Sequence, residues 1–302
     1  KQKNKVLSVL QNMETKGKSG FIEYIEDSSR TFLHILLAFK TMEKRGLMAK
    51  LLSKILEQDI RDNKVIPDFK TSDPSAFTDI CKRYSTEIEK LEKEFNSQED
   101  EDYYKFVYVI NLLSAEMGEE VPLLFKDLEH SLIKPDFQSV KEILGSLEEI
   151  PLEEYLKDDF LGWVYQYWVD VKDKEIKDAE KEKKTGYKEN VYYEILKELE
   201  EEQTQFGEFY TPKWVVKYIV DNTLKPYWEE NKKIEEIKLL DPACGAGNFL
   251  VYAFDLFYEL WKEEHPELSE TQIISNIVTK NIFGVDIQRQ PLQITALNIW
   301  LK

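Results

Sequence analysis

Cysteine and histidine, the residues that most often form disulfides or bind transition metals, are scarce in this chain. Its 302 residues include two cysteines and three histidines. These are Cys81, Cys244, His34, His130 and His265, and their spacing matches no common metal-binding pattern. We therefore expect no bound metal. The low cysteine count and the lack of an apparent signal sequence predict a protein of the reducing cytoplasm.

Long apolar runs and positive charge are lacking as well. The sequence has no stretch of about 18 consecutive apolar residues, so we expect no membrane span. Lysine and arginine number 41 against 58 aspartates and glutamates, which gives a formal net charge of -17. Because the phosphates of DNA repel an acidic surface, we expect this chain to bind DNA weakly at most. Its hydrophobic content of 42% still allows a substantial core, and its length predicts two domains.

The most informative segment is Leu239–Leu250, where an apolar strand leads through a turn of small residues into an amphipathic helix. Such a turn brings backbone N–H groups close to a ligand, and the helix adds the positive end of its dipole. A dinucleotide-binding turn would have a third glycine at Leu250, and a Walker loop would have lysine at Asn248. Asp241, at the end of the strand, would repel a phosphate. We therefore expect a ligand that is neutral or cationic at this point.

A second strand-like segment, Asn281–Ile287, also carries an acidic residue near its end, Asp286. A carboxylate in this place can accept hydrogen bonds from both hydroxyls of a ribose. Asp286 follows Asp241 by 45 residues, and two helices are predicted between them. The first runs from residue 248 to about 264, and the second begins at the capping box Ser269–Gln272. Apolar residues at helical spacing follow that box: Ile273, Ile274, Ile277 and Val278.

A third element lies upstream, where Phe206–Pro212 precedes another predicted helix. Thr211 is typical of an N-cap, and Pro212 is typical of a first helical residue. The apolar residues of this helix fall on one face and are Trp214, Val215, Tyr218 and Ile219.

The letters Asp-Pro-Ala-Cys-Gly-x-Gly-x-Phe-Leu at 241–250 closely resemble the signature of DNA amino-methyltransferases that use S-adenosylmethionine. In that family the Gly-x-Phe-Tyr-Thr-Pro element, here at 207–212, closes over the methionine end of the cofactor. The resemblance implies that Asp241 binds the ammonium, that Asp286 binds the ribose and that Ile287 packs on the adenine. The cofactor-binding residues that it implies are Tyr210, Thr211, Pro212, Asp241, Ala243, Cys244, Gly245, Gly247, Asn248, Phe249, Asp286 and Ile287.

Segments 160–168 and 209–218 resemble the adenine-specific methyltransferase family PglX of BREX phage-defence systems, and segments 30–43 and 249–256 resemble it more loosely. Type IIG enzymes and type I modification subunits share the cofactor motifs. The resemblance implies an α/β fold class, with an N-terminal all-helical domain followed by the first part of a Rossmann-like methyltransferase domain. It also implies site-specific N6-adenine methylation of double-stranded DNA in phage defence or restriction-modification, with other defence proteins as further partners.

Residues 1 to about 170 are predicted to be helical. Apolar residues recur at helical spacing at Phe32, Ile35, Leu36 and Phe39, and less regularly at 107–114. Prolines at 67, 74, 122, 135 and 151 mark breaks. The stretch 172–186 is almost wholly charged or polar, and 181–186 is the predicted linker. We therefore predict a helical domain with its linker at 1–186 and the start of the methyltransferase domain at 187–302.

One element of the family is missing. Amino-methyltransferases of this kind carry an Asn/Asp-Pro-Pro-aromatic tetrapeptide, which in this order of motifs lies beyond the second strand. No such tetrapeptide occurs before Lys302, and the first residue is Lys1 rather than methionine. We therefore expect part of a larger protein, with no catalytic residue of its own and no activity alone. A nuclease is disfavoured, because the acid-x-Lys pair at 175–177 lies in a charged segment.

Two other functions stay open at this point. The acidic helical region is a candidate docking module for other defence proteins, with the cofactor setting conformation rather than reacting. The other alternative is an oxidoreductase with a nicotinamide cofactor. It is disfavoured because the third glycine of the dinucleotide-binding pattern is absent.

Overall fold

The computed structural model describes residues 24–48, 52, 98–126, 134–167, 211–231 and 233–302. The chain divides into two compact units, at 1–157 and 158–302. The described part of each unit has its own buried apolar residues. Among these residues, no helix is both long enough and apolar enough to cross a membrane.

Unit 1 contains a helix, α1, that is buried on nearly all sides and covers residues 24–44. The four residues whose spacing predicted a core face are all buried: Phe32, Ile35, Leu36 and Phe39. The side chain of Lys40 is also buried, and its ammonium pairs with the carboxylates of Glu43 and Glu148. A charged group is tolerated in a core when it is paired in this way.

Four further helices whose bounds the structure describes follow α1 in unit 1. They are α2 (Gln98–Glu120), α3 (Pro122–Phe125), α4 (Phe137–Glu149) and α5 (Leu152–Tyr155). Pro122 is the first residue of α3, Pro151 is the N-cap of α5, and Pro135 lies just before α4. The predicted helical character and these three breaks are therefore confirmed. The other two prolines of the prediction, Pro67 and Pro74, lie outside the described residues.

The described part of unit 2 combines helices with two short strands. In chain order it contains α6 (160–167), α7 (Lys213–Asp221), α8 (Leu224–Asn231), a 3-10 turn (Ile234–Glu236), β1 (Leu239–Asp241), α9 (Asn248–Glu264), α10 (Glu270–Asn276), a π-helical turn (Ile277–Asn281), β2 (Ile282–Gly284) and α11 (Arg289–Trp300). The strand-turn-helix succession at β1 and α9 is confirmed. The predicted capping box before α10 is confirmed too, since Ser269 and Gln272 bond reciprocally.

The two strands form a parallel pair in which Leu239 lies beside Ile282 and Asp241 beside Gly284. A parallel pair needs a long crossover between its strands, and α9 with α10 supplies it. Both strands therefore end at the same edge of the sheet. This register places Asp241 and the residues after Gly284, Asp286 among them, at that edge.

The core of unit 2 forms around α9, which has a buried stripe along its length. Its buried residues are Leu250, Val251, Ala253, Phe254, Leu256, Phe257, Leu260 and Trp261. The indole N–H of Trp261 donates to the side chain of Asn281 at 2.8 Å, and Asn281 donates to the carbonyls of Ile234 and Ile237. This fully buried amide ties the start of β2 to the segment that leads into β1.

The start and the buried face of α7 differ from the prediction. The N-cap is Pro212, whose ψ of 141° is extended, so the N-cap prediction for Thr211 and the first-helical-residue prediction for Pro212 are both wrong by one position. The buried residues of α7 are Val216 and Val220, whereas Trp214 and Tyr218 are 74% and 68% exposed. The predicted apolar face followed the largest side chains, but the smaller β-branched valines face the core. On α10 likewise, Ile273 is buried and Ile274 is exposed.

The described residues are thus mostly helical, with one small parallel sheet. The predicted boundary at 186/187 and the linker at 181–186 lie within 168–210, outside the described residues. Both stay predictions.

Candidate cofactor site at the strand ends

The chain continues to pair with itself beyond the last residues of the two strands. The N–H of Val285 donates to the carbonyl of Asp241 at 2.9 Å, and the N–H of Cys244 donates to the carbonyl of Val285 at 3.0 Å. The turn after β1 is therefore held against the segment after β2. As a result, the two segments that were predicted to form one site lie side by side.

The turn itself depends on two glycines in the left-handed region. Gly245 has a φ of 51° and Gly247 a φ of 88°, which residues with a Cβ rarely adopt. The N–H of Gly247 donates to the carbonyl of Cys244 at 2.8 Å, and Gly247 is the N-cap of α9. The sequence thus turns sharply from strand to helix within a few residues, as the spacing of its glycines predicted.

Asp286 is bonded to this turn through its carboxylate. Its Oδ2 accepts a hydrogen bond of 2.8 Å from the N–H of Gly245, and its Oδ1 accepts one of 2.8 Å from the N–H of Gln288. Each carboxylate oxygen has two lone pairs, so each oxygen keeps capacity for one more donor. Asp286 can therefore hold the turn and bind hydroxyl groups of a ligand at once.

Asp241 has an oxygen that lacks a donor. Its Oδ1 accepts a hydrogen bond of 3.2 Å from the N–H of Ala243. Its Oδ2 is shielded from solvent and has no hydrogen-bond partner among the residues that the structure describes. Burial raises the pKa of this carboxyl, the Ala243 N–H lowers it, and the charge of Asp286 raises it further. A buried, unpaired carboxylate oxygen is costly, so this site favours a ligand that brings a donor or a positive charge.

Cys244 is a small packing residue in this turn. It is buried, and burial raises the pKa of its thiol to about 11. The thiol is therefore protonated at neutral pH and is a poor nucleophile. A Cβ at Gly284 would lie 3.1 Å from its Sγ, which shows how closely the turn packs on β2.

Two polar residues of α11 also hold the turn, and sequence reasoning missed both. The hydroxyl of Thr295 donates to the carbonyl of Gly245 at 2.6 Å, and the amide of Asn298 donates to the carbonyl of Ala246 at 3.0 Å. Both side chains are 5% exposed. The available signal was two polar residues, three positions apart, on a helix that directly follows the second strand.

The upstream element is only partly described. Thr211 and Pro212 precede α7, whereas Tyr210 lies outside the described residues. Helix α7 is bonded to α9, because the phenol of Tyr252 accepts from Lys217 and donates to Asp221, both at 2.8 Å. The contact of residues 210–212 with a cofactor stays a prediction.

Other predicted site residues are placed as follows. Ala243 is exposed, whereas Asn248 and Phe249 are partly buried at the first turn of α9. Ile287 is 78% exposed directly after Asp286, where its side chain is available to a ligand.

A separate polar cluster surrounds His265. Each of Glu235, Glu264 and His265 offers a ligand atom, and these atoms lie within 4.8 Å of one another. The spacing of the histidines did not predict this cluster. One oxygen of Glu264 accepts from the indole of Trp228 at 2.6 Å, so at least this carboxylate has a structural role in joining α8 to α9.

Comparison with known proteins finds one family model that matches the segment with this site. Residues 188–302 match the family model for N-6 DNA methylases. The matched segment covers just over a third of the chain. The N-6 DNA methylase segment contains both strand ends, the glycine turn and α11.

Individual relatives extend the similarity beyond the N-6 DNA methylase segment. The chain is 24% identical to an adenine-specific methyltransferase PglX of Lacticaseibacillus casei, over 93% of this chain and 26% of that protein. It is 23% identical to an adenine-specific methyltransferase BrxX of Escherichia coli O9:H4, over 92% and 24%. A type I restriction enzyme EcoEI methylase subunit of Escherichia coli is 31% identical, over 37% and 20%. The chain thus spans about a quarter of the length of the first two of these relatives.

Proposed function

We propose that this chain is part of an adenine-specific DNA methyltransferase that uses S-adenosylmethionine and acts in phage defence or restriction-modification. One observation carries the proposal: two carboxylates end neighbouring parallel strands beside a glycine turn, within a segment of the N-6 DNA methylase family. The names of the relatives support adenine as the target base. The family match supports DNA as the substrate, and we propose double-stranded DNA for the complete protein.

The residues present fit S-adenosylmethionine. The unpaired Oδ2 of Asp241 suits the ammonium of the methionine part, because a buried carboxylate oxygen needs a donor. The carboxylate of Asp286 keeps lone pairs for the ribose hydroxyls, and the exposed Ile287 can cover the adenine. When bound, this cofactor supplies an already activated methyl group. The role of the chain's own residues is to bind and orient it.

The proposed function also has consequences for the fold and for the DNA contacts of this chain. We propose that β1 and β2 begin a Rossmann-like sheet, with the domain starting near residue 187, where the family match also begins. The formal charge of -17 makes strong DNA binding by this chain unfavourable. We therefore assign the main DNA contacts to other parts of the complete protein.

The first experiment is calorimetric titration of the 302-residue chain with S-adenosylmethionine and, separately, with NAD. We expect saturable binding of S-adenosylmethionine and none of NAD. The variant Asp241→Asn should weaken that binding, whereas Asp159→Asn, at a half-buried residue of unit 2 that accepts from the indole of Trp163, should not. Binding of NAD alone would overturn the proposal in favour of an oxidoreductase.

The second experiment uses the complete protein and tests catalysis. Duplex DNA is incubated with S-adenosylmethionine, and N6-methyladenine is measured after digestion to nucleosides. We expect methylation by the wild type and its loss in Asp241→Asn. Cofactor binding without methylation would instead favour the docking alternative, in which the cofactor sets conformation.

A further inference from the structure

We propose that Thr295 and Asn298 of α11 are positioning residues for the cofactor, which they serve by fixing the peptide groups of the glycine turn. This inference rests on the proposed function. Neither residue belongs to the cofactor-binding set that the sequence predicted. Both are polar side chains in a buried position, where a polar group needs a hydrogen-bond partner.

The partners of the two side chains are consecutive carbonyls of the turn. Thr295 bonds the carbonyl of Gly245 at 2.6 Å, and Asn298 bonds that of Ala246 at 3.0 Å. Because a peptide unit is planar and trans, fixing its carbonyl also fixes the N–H on its opposite side. Thr295 thereby sets the direction of the Ala246 N–H, and Asn298 sets that of the Gly247 N–H.

The turn needs this support because its glycines are intrinsically flexible. A glycine with positive φ loses more conformational freedom on ordering than any other residue. The helix α11 is a rigid support, and it packs so closely that a Cβ at Gly247 would lie 2.9 Å from Thr295 Cγ2. A ligand that binds a turn ordered in advance does not have to order it on binding.

Asp286 completes the support from the other side. Its Oδ2 holds the N–H of Gly245, while Thr295 holds the carbonyl of the same residue. Gly245 is thus fixed at both of its backbone polar groups. Neither bond occupies the free Oδ2 of Asp241, so the turn is ordered while the proposed ligand group stays available.

The test compares Thr295→Val, which removes the hydroxyl at nearly constant shape, with Thr295→Ser, which keeps it. Thr279→Val is the matched control, because Thr279 also donates to a backbone carbonyl, at 2.6 Å, but is exposed and away from the turn. Two quantities are measured on the 302-residue chain. They are the Kd for S-adenosylmethionine and the hydrogen exchange of amides 243–249 without ligand, relative to amides 282–285.

Thr295→Val should raise the Kd about five- to tenfold, the effect of losing one net hydrogen bond. It should also accelerate exchange at 243–249 more than at 282–285. Thr295→Ser and Thr279→Val should stay within about twofold of the wild-type Kd, since neither loses a bond to the turn. A merely structural role would accelerate exchange in both regions alike.

Two results separate this inference from the proposed function. If the wild type binds S-adenosylmethionine and Thr295→Val binds it equally well with unchanged exchange in the turn, the positioning role is wrong. If the wild type binds no S-adenosylmethionine, the proposed function fails and the cofactor role of Thr295 falls with it. The exchange data then decide by themselves whether Thr295 orders the turn.

Discussion

The carboxylate of Asp286 accepts a hydrogen bond of 2.8 Å from the backbone N–H of Gly245. This bond joins the segment after the second strand to the glycine turn after the first. Asp286, for which the family resemblance implies ribose binding, therefore also holds the glycine turn in place. If Asp286 also binds the cofactor as proposed, stability and ligand affinity should be coupled at this residue.

The substitution Asp286→Asn tests that coupling. Asparagine has one acceptor oxygen in place of two, so the N–H of either Gly245 or Gln288 loses its partner. We expect the free energy of unfolding to fall by about 1–2 kcal/mol and the Kd for S-adenosylmethionine to rise at least about tenfold. Urea denaturation and calorimetry measure the two effects.

Asp136→Asn is the control for this change. Asp136 accepts from the N–H of Ser139 as the N-cap of α4, and asparagine caps helices about as well as aspartate. It should leave both quantities near the wild-type values. Wild-type stability together with wild-type affinity in Asp286→Asn would contradict the assigned role.

Asp241 should differ from Asp286, because its carboxylate is expected to favour ligand binding but to lower the stability of the ligand-free protein. Burial raises its pKa above the ordinary value of 3.8, the Ala243 N–H opposes this, and the charge of Asp286 adds to it. The folded protein thus holds this proton more tightly than the unfolded chain. The stabilisation from this group is complete below the unfolded pKa and is lost as the pH rises through the raised folded pKa. At neutral pH the ionised carboxylate therefore destabilises the ligand-free protein.

We predict that Asp241→Asn raises the free energy of unfolding at neutral pH while it weakens binding of S-adenosylmethionine about tenfold or more. The asparagine keeps an acceptor for Ala243 and removes the buried charge. The gain in stability should disappear when unfolding is measured below about pH 3.8, the unfolded pKa. A variant that is less stable than the wild type at neutral pH would show that Asp241 is satisfied without a ligand.

Local sequence signals predicted the elements that carry the site. Gly245 and Gly247 indicated the turn, Ser269 and Gln272 indicated a helix start, and both are confirmed. Each of these signals acts over a few neighbouring residues. They depend on backbone conformation and on capping, which a sequence shows directly.

Contacts between residues that are far apart in the sequence were harder to predict. Thr295 lies 50 residues from Gly245, so nothing in the local pattern indicated that it bonds the turn. The buried face of α7 was also misjudged, because Trp214 and Tyr218 dominated the apolar pattern while Val216 and Val220 pack inward. Which face of a short helix is buried depends on its neighbours, which local periodicity does not identify.

Gly247→Ala tests the close approach between the turn and α11. The substitution places a Cβ at positive φ, which costs about 1–2 kcal/mol, and it also places that atom 2.9 Å from Thr295. Gly46→Ala is the control, since Gly46 has a φ of 73° but open space around its Cβ position. In thermal or urea unfolding, Gly46→Ala should show the backbone cost alone. Gly247→Ala should lose more and should also bind S-adenosylmethionine more weakly. Equal losses of stability in the two variants would mean that α11 shifts to accommodate the added Cβ without a further cost in free energy.

Asn281→Leu should separate the stability of this fold from its ligand affinity. The Asn281 amide is fully buried and makes three side-chain hydrogen bonds of 2.8 Å, to Trp261, Ile234 and Ile237. Leucine has a similar size but removes the hydrogen-bond partner of the Trp261 indole and of the Ile237 carbonyl, whereas the Ile234 carbonyl keeps the N–H of Ile237 at 3.3 Å. We therefore expect the free energy of unfolding to fall by about 3 kcal/mol or more in urea denaturation.

Asn222→Leu is the control for the loss of stability. Asn222→Leu removes one exposed bond to the carbonyl of Tyr218 and should cost about 1 kcal/mol or less.

Because Asn281 precedes β2, it lies at the amino end of the parallel pair, whereas Asp241 ends β1 at the opposite edge. Under conditions where Asn281→Leu is still folded, its Kd for S-adenosylmethionine should therefore stay within about threefold of the wild type, a difference of less than 1 kcal/mol. A large rise in Kd would mean that the carboxyl edge depends on the packing at the amino edge, and that the site is less local than its contacts indicate.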